Sequence, residues 1–320
     1  MRLPAEARMS ESLAMMAKAG VAADEDSLIV ALTYRCNSAC TFCIIATEIG
    51  DRLADAPPSL IDAVLAYNAE ARRFRRLTFS GAEVTLRADL ASIAHRAVTE
   101  GGFELVRIQT NARRLSDPAL AERLVRSGVR EFFVSLHAHT PELDAAITRS
   151  SRSFAEAAAG IRQVVALGAT ALTNTVICQR NVDHLAEIVG YAASLGVGEV
   201  QLWSFLEVAD ERQRDEHVRL QRAMPKVREA LDLAEELGLR ATAKWLPRCL
   251  LGRHGERLDN HQPHMLIRDE FQTRLASQFG FGCANTGCRW LGRGCDGLHE
   301  TYRARFGDEV ELLRPSLEGP

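Results

Sequence analysis

Apolar residues are distributed along this chain in two alternating textures. Short runs rich in Val, Ile, Leu and Phe occupy 28–33, 77–79, 105–110, 131–136, 173–178 and 199–205. Between them, 60–72, 88–99, 118–127, 153–167 and 183–195 carry apolar residues at helical spacing, and several are closed by Gly. The runs are too short for helices and too apolar for surface loops, so they read as buried strands. Six strand–helix units result. Regular alternation of this kind calls for a parallel sheet with helices packed outside it, and six units of this length suit a partial (β/α)6 TIM-like barrel in the α/β class better than a small open sheet. Groups that do chemistry are then expected at the C-terminal ends of the strands.

Both ends of the chain depart from this texture. Residues 5–18 have the period of an amphipathic helix, which Gly20 would close. A further helix is expected at 218–237, and from Pro247 the sequence turns rich in Gly, His and Cys with little clean periodicity. These changes divide the chain into an N-terminal helical extension (1–27), a barrel (28–246) and a Cys-rich region (247–320) that is expected to be held by metal. No 20–50-residue repeat or low-complexity tract interrupts the pattern.

Composition narrows the picture. The 320 residues are 47% hydrophobic and 25% charged, with 39 Lys+Arg against 42 Asp+Glu, a net charge of −3. That balance provides no general field for drawing in phosphate backbones, so no nucleic-acid partner is expected. Arg72-Arg73 and Arg75-Arg76 read as a solvated helix end. With no signal peptide and no run approaching the ~18 apolar residues of a membrane span, a cytoplasmic protein without membrane contact is expected. In that compartment the eight cysteines, at 36, 40, 43, 178, 249, 283, 288 and 295, should be reduced, which favours metal ligands, catalytic thiols or core residues over disulfides.

Cys36, Cys40 and Cys43 follow the first strand directly, at spacings C-x3-C-x2-C. Three thiolates with no fourth ligand nearby can hold three irons of a 4Fe–4S cube and leave the fourth iron open, the arrangement of a catalytic cluster. A structural zinc usually takes four protein ligands, and this loop supplies three. Cys249, Cys283, Cys288 and Cys295 supply four, enough to fill either a cube or a zinc tetrahedron, and Gly282, Gly287, Gly292 and Gly294 permit tight turns among them. Cys178 stands alone at the end of the fifth run, either as a reactive thiol at the barrel mouth or, as a lone Cys more often is, a small buried hydrophobe.

The C-x3-C-x2-C loop, with Phe42 before its last Cys, resembles the radical S-adenosylmethionine (SAM) superfamily, and the resemblance extends through the six units, roughly residues 28–240. Ser80-Gly81-Ala82-Glu83-Val84 looks like the family's Gly-Gly-Glu-Pro segment, departing from it at Ala82 and Val84. The resemblance implies that Gly81, Ala82 and Glu83 contact SAM, with Glu83 accepting from the methionine ammonium. It also implies that Gln109, Asn111 and Ser135 face the ribose and carboxylate, that Arg149 pairs with the SAM carboxylate, and that Ile177, beside Val176, flanks the adenine, although barrel core is an alternative for those two and for the 202–205 run. His137 and His139 read either as participants or as hydrogen-bonded loop residues. Leu246-Pro247-Arg248-Cys249 with the later cysteines resembles the tails of the SPASM/Twitch branch, implying an auxiliary 4Fe–4S cluster ligated by Cys249, Cys283, Cys288 and Cys295. His254, His261 and His264 lie between these cysteines, as loop residues touching substrate or as further ligands.

On this resemblance the expected activity is reductive cleavage of SAM to a 5′-deoxyadenosyl radical, with an external one-electron reductant such as flavodoxin or ferredoxin, and hydrogen abstraction from a small molecule or natural-product intermediate. The 35 residues before Cys36 leave little room for a peptide-recognition domain, which favours a small substrate. Modification of a ribosomally made peptide, with recognition supplied by a separate protein, is the alternative. A third reading, prompted by Ala82 and Val84, is a metal-binding scaffold without catalysis.

Overall fold

In the computed structural model, residues 23–45, 50, 52–207, 215–276, 280–309 and 312 are described. The helix expected at 5–18 lies outside them. Eight strands form one sheet: β1 Ala23–Thr33, β2 Arg76–Gly81, β3 Leu105–Thr110, β4 Val129–Ser135, β5 Thr170–Ile177, β6 Glu199–Ser204, β7 Arg240–Lys244 and β8 Gln262–Leu266. Their order is β7-β6-β5-β4-β3-β2-β1-β8, and every neighbouring pair is parallel. This is the partial barrel expected from the alternation, with β7 and β8 at its two edges.

The helices that return the chain between strands are α1 Pro58–Ala71, α2 Leu90–Thr99, α3 Pro118–Arg126, α4 Pro141–Thr148, α5 Ser153–Ala166, α6 Leu185–Ser194 and α7 Leu220–Glu236. Pro at the first helical turn opens α1, α3 and α4, where its missing N–H costs nothing; Asp117 and Thr140 cap α3 and α4 through their side-chain oxygens. Beyond β8 lie α8 Asp269–Ala276, the antiparallel pair β9 Phe281–Gly282 and β10 Leu298–His299, and α9 Glu300–Phe306. None of the described helices is long and apolar enough to cross a membrane.

The strand period separates the two faces of the sheet. Leu28, Val30, Leu77, Phe79, Val106, Ile108, Phe132 and Val134 are buried in the main core with the helices. Intervening residues such as Ser80, Gln109, Ser135, Asn174 and Trp203 line an interior cavity. Hydrophobic burial therefore fixes the outer layer, and polar chemistry is left to the inner one.

Three differences from the sequence reading have physical causes. Strand β7, Arg-Ala-Thr-Ala-Lys, has no β-branched aliphatic run, and β8 carries Pro263; neither looks like a strand in sequence, yet an edge position tolerates both. Because β8 pairs with β1, with Ile29 opposite Met265, part of the 247–320 region is built into the barrel sheet and no clean boundary falls at 247. Its last helix also docks on the barrel: the Leu220 amide donates to the Tyr302 hydroxyl at 2.8 Å. Helix α4 was not foreseen, because eight residues give barely two turns of periodicity.

Candidate active site at the strand C-termini

The cysteine loop is gripped from three sides. From β2, the Ala82 amide donates to the Thr33 carbonyl at 2.8 Å and the Glu83 amide to the Arg35 carbonyl at 3.0 Å, fixing the exit of β1 just before Cys36. Gly81 makes this approach possible: its φ is +128°, and a Cβ there would stand 2.0 Å from the Thr33 oxygen. From α4, the carbonyls of Thr148 and Ile147 at the helix end accept from the Ala39 and Thr41 amides at 3.1 and 3.0 Å, so groups a helix end leaves unpaired are used to hold the loop. From the turn after β3, the buried Arg113 donates to the Asn37 carbonyl and to Ser38 Oγ (3.1 Å), with its Nε on Glu156 at 2.7 Å.

Cys36, Cys40 and Cys43 line one cavity of about 350 Å³. Burial raises the pKa of all three thiols; for Cys40 the neighbouring Cys43 and Cys36 add to it, and Cys43 is pushed up to about 11. Thiols that oppose one another's ionisation share one small space, and a bound metal cluster would relieve that opposition.

Gly81, Ala82, Gln109, Asn111 and Ser135 line the same cavity. Gln109 accepts from Ser80 Oγ at 2.7 Å, Ser135 Oγ donates to Asn174 at 3.3 Å, and Asn111 Nδ2 reaches Asn37 Oδ1 at 2.7 Å and Cys36 Sγ at 3.9 Å. Three of the residues expected at the site stand elsewhere. Glu83 is fully buried: Oε1 accepts from Thr85 N, Thr85 Oγ1 and Thr110 Oγ1 at 3.0, 2.5 and 2.7 Å, and Oε2 from Asn111 N at 2.7 Å. It braces the ends of β2 and β3 and does not face the cavity. Arg149 is an exposed left-handed cap of α4, outside the cavity lining. Ile177 packs in the outer core, because on β5 it is Asn174 and Val176 that share the inward parity.

Arg113, Asp144, Asn174 and Trp245 line the cavity without having been singled out in sequence. Arg113 and Trp245 follow strand ends, Asn174 lies within β5 and Asp144 in α4, so position along the chain marks only the first two. His137 is buried at the cavity wall, its ring edge-on to Phe42 at 4.7 Å and its Nδ1 accepting from Val176 N at 3.2 Å; burial lowers its pKa to about 3, so it is neutral. His139 lies instead against His184, with ring centroids 5.1 Å apart. Cys178 is fully buried among Phe42, Ile147 and Phe205, and burial raises its pKa to about 12: a packed thiol.

The four later cysteines line a second cavity, of about 730 Å³. Gly292 and Gly294, with φ of +70° and +95°, make the tight turn that returns the chain from Cys288 to Cys295; Gly282 and Gly287 have ordinary φ. Arg248 lies 4.0 Å over the Trp290 ring on this cavity's wall. The three histidines are turned to carboxylates: His254 to Asp232 and His261 to Asp259, at 2.8 and 2.9 Å, and His264 to Glu25 at 3.4 Å. Among the described residues no three His, Cys, Asp or Glu side chains converge on one ion position. The three loop cysteines line one cavity and the four later cysteines the other.

Comparison with known proteins agrees with this geometry. The model of the Radical SAM superfamily matches residues 30–192, which hold the cysteine loop and the first five strands. Two curated relatives carry the name "Probable GTP 3′,8-cyclase": one from Saccharolobus islandicus strain Y.N.15.51, 31% identical over 179 residues, and one from Saccharolobus solfataricus strain P2, 30% identical over 180. Each match covers 55% of this chain and 56% of the relative, so the chain spans about half the length of these relatives. In fold it is similar to Streptococcus suis SuiB bound to precursor peptide SuiA (TM-score 0.63, 14% identity, 92% of this chain and 76% of that one). It is likewise similar to methylornithine synthase PylB (TM-score 0.55, 12% identity, 84% and 80%). The chain belongs to the radical SAM superfamily.

Proposed function

We propose that this chain cleaves SAM reductively at the Cys36–Cys40–Cys43 loop and abstracts a hydrogen atom from a small-molecule substrate, with a second 4Fe–4S cluster on Cys249, Cys283, Cys288 and Cys295 serving electron transfer. The observation that carries the reading is the convergence of the three loop cysteines and the polar residues of β2–β4 on one cavity at the strand C-termini. A 4Fe–4S cube held by Cys36, Cys40 and Cys43 would supply the one electron that reduces the sulfonium of SAM, splitting its C–S bond into methionine and a 5′-deoxyadenosyl radical.

The chain's own residues hold and shield. Gly81, Ala82, Gln109, Asn111 and Ser135 form a polar wall beside the cysteines that suits the sugar and amino-acid portions of SAM. Trp203, Trp245 and Met265 add apolar lining, and Phe205 and Phe271 pack beside the cysteine loop with Phe42 and Tyr34; together they suit a substrate to be kept from water. For a second cluster, the support is the gathering of four thiols around one cavity.

The curated relatives are named for a nucleotide, which supports a small molecule over a peptide. A triphosphate, however, asks for several free cations. Arg113 is the one guanidinium or ammonium among the described lining residues, and it is already engaged by Glu156 and the cysteine loop.

The test is anaerobic reconstitution, iron and sulfide counts, and 5′-deoxyadenosine formation from SAM with dithionite in wild type and Cys40→Ala. About eight irons per chain, with cleavage lost in the variant, is expected. About four irons with intact cleavage would remove the second cluster, and no cleavage in wild type would overturn the enzyme reading for this chain.

A further inference from the structure

The cavity that gathers the four later cysteines also encloses a cation. Arg248 immediately precedes Cys249, and its side chain is only 13% exposed. The guanidinium lies 4.0 Å over the ring of Trp290, and both residues line the cavity together with Cys249, Cys283, Cys288 and Cys295. Any group that all four thiols hold therefore shares its walls with Arg248.

The side chain and the backbone of Arg248 are both fixed toward this cavity. Nη1 donates to the Gly255 carbonyl at 2.6 Å, and Nη2 to the Glu256 carboxylate. Burial raises the pKa of the Cys295 thiol, and the backbone amides of Arg248 and Gly297 oppose that rise by bonding to the sulfur. Arg248 is thus joined in sequence to one cysteine of the set and hydrogen-bonded to a second.

The other charges of the cavity lie further into solvent. Arg253 and Arg289 are exposed, and Arg253 is paired with Asp232 and Glu235. Glu256 is the one carboxylate among the described lining residues, and its side chain is 86% exposed. A carboxylate so well solvated is screened, so its pairing does not cancel the enclosed positive charge. The bland alternative is that Arg248 merely closes the turn over 248–257 through the Gly255 carbonyl. A neutral donor would serve that purpose, and the turn accounts for neither the charge nor its seat over Trp290 on the cysteine wall.

We propose that Arg248, held over Trp290, sets the reduction potential of the cluster on Cys249, Cys283, Cys288 and Cys295, raising it so that this cluster accepts an electron readily. The proposal rests on the reading that these four cysteines hold a 4Fe–4S cluster, which the donor set suits, and it assigns a residue to that cluster's role in electron transfer. Reduction adds one negative charge to a partly enclosed site. Net charge, hydrogen bonds to the sulfurs and exposure to solvent set the potential of such a cluster, and a nearby fixed cation favours its reduced form. Arg248 supplies the first two of these through its guanidinium and its amide.

The test uses the full-length chain with Cys36, Cys40 and Cys43 all replaced by Ala, reconstituted anaerobically so that only the later cysteines hold iron. Iron is counted, and the cluster is reduced stepwise with dithionite at controlled potential while its paramagnetic signal is followed. About four irons per chain are expected. Arg248→Gln should lower the reduction equilibrium constant about 10-fold, or about 59 mV for a one-electron couple. Arg248→Lys keeps the charge and should stay within about 3-fold of the parent. Trp290→Leu removes the ring that holds the guanidinium and should move the potential part of the way down. A merely structural arginine would lower iron retention in the Gln and Lys variants alike and leave the potential of the remaining cluster unchanged. An unchanged potential in Arg248→Gln, or an equal fall in Arg248→Lys, overturns the proposal. If Arg248→Gln holds no iron, Trp290→Leu decides, and an unchanged potential there overturns it. Four irons with no shift sinks the tuning role alone, whereas absence of iron from the parent chain sinks the second cluster and the proposal with it.

Discussion

Replacing Glu83 with Gln separates two roles that the sequence motif leaves merged. If Glu83 accepts from the SAM ammonium, Glu83→Gln weakens SAM binding and leaves the fold untouched. The structure gives the carboxylate another task. It is wholly buried and accepts four protein hydrogen bonds, three on Oε1 and one, from the Asn111 amide, on Oε2. Gln is isosteric, so no cavity opens and the change is confined to these bonds. Its oxygen can serve the Thr85 and Thr110 side, which sets its NH2 against the Asn111 N–H, donor against donor.

One charge-assisted bond is lost outright, about 1.5–3 kcal/mol, and the three that remain become bonds to a neutral oxygen. A total near 3 kcal/mol corresponds to a fall of about 6 °C in Tm for a chain of this size. The assay is thermal unfolding of wild type, Glu83→Gln and Glu83→Ala in the presence and absence of SAM. The two variants should fall together without ligand, Ala further because it also leaves a void. Asn111 should shift with them, carrying its contacts to Asn37 and Cys36. A Glu83→Gln protein that melts within about 1 °C of wild type, too small a change for one lost buried bond, yet binds SAM poorly, would refute the bracing role and return the residue to the ligand.

The same geometry sets four further outcomes. Gly81→Ala puts a Cβ at φ +128° and 2.0 Å from the Thr33 oxygen, so a loss of about 2–3 kcal/mol by denaturant unfolding, with a disturbed cysteine loop, is expected; unchanged unfolding would disprove the close approach. Arg113→Met frees the Asn37 carbonyl and Ser38, and iron retention against a chelator should weaken about 10-fold, with Arg113→Lys intermediate. Cys178→Ala should cost about 1 kcal/mol and leave 5′-deoxyadenosine yield and substrate turnover intact, whereas a product lacking its final hydrogen would make the thiol a donor. His137, neutral and with its pKa lowered to about 3, gives stability that is complete above the unfolded value near 6.5 and is lost as pH falls through the window down to 3. Wild type should therefore lose about 1–2 kcal/mol more than His137→Gln between pH 6.5 and pH 5.

The fold was legible wherever burial on one side of the sheet dictated residue type. The outer faces of β1 to β6 must meet helices, and Leu28, Val30, Leu77, Phe79, Val106, Ile108 and Phe132 announce them. The barrel edges obey no such demand. Arg-Ala-Thr-Ala-Lys in β7 alternates polar and small apolar side chains, and β8 accommodates a proline because it is an edge strand among the described residues. The cysteine loop was legible because thiol spacing is chemistry written locally. Residues that act through tertiary contacts were not: Arg113 lies about 75 positions from the backbone it holds, and nothing in its neighbourhood marks it. Ile177 failed for a related reason, since a run of apolar residues along a strand does not reveal which parity faces in.

Lys244 is a position of that second kind, and it carries a charge. In the sequence it is the last residue of an unremarked pentapeptide. Register with Trp203 and the turn that brings in Trp245 set it behind the two indoles, so the ammonium is enclosed there among Asp259, Asp296, Asp24 and Arg107. The polar wall beside the cysteines comes from β2, β3 and β4, and the indole wall from β6 and the segment after β7. The two halves of one cavity thus differ in origin as well as in chemistry. The half nearer the N-terminus lies within the stretch matched by the superfamily. The half that contains Trp203 and Trp245 lies beyond residue 192, outside that stretch.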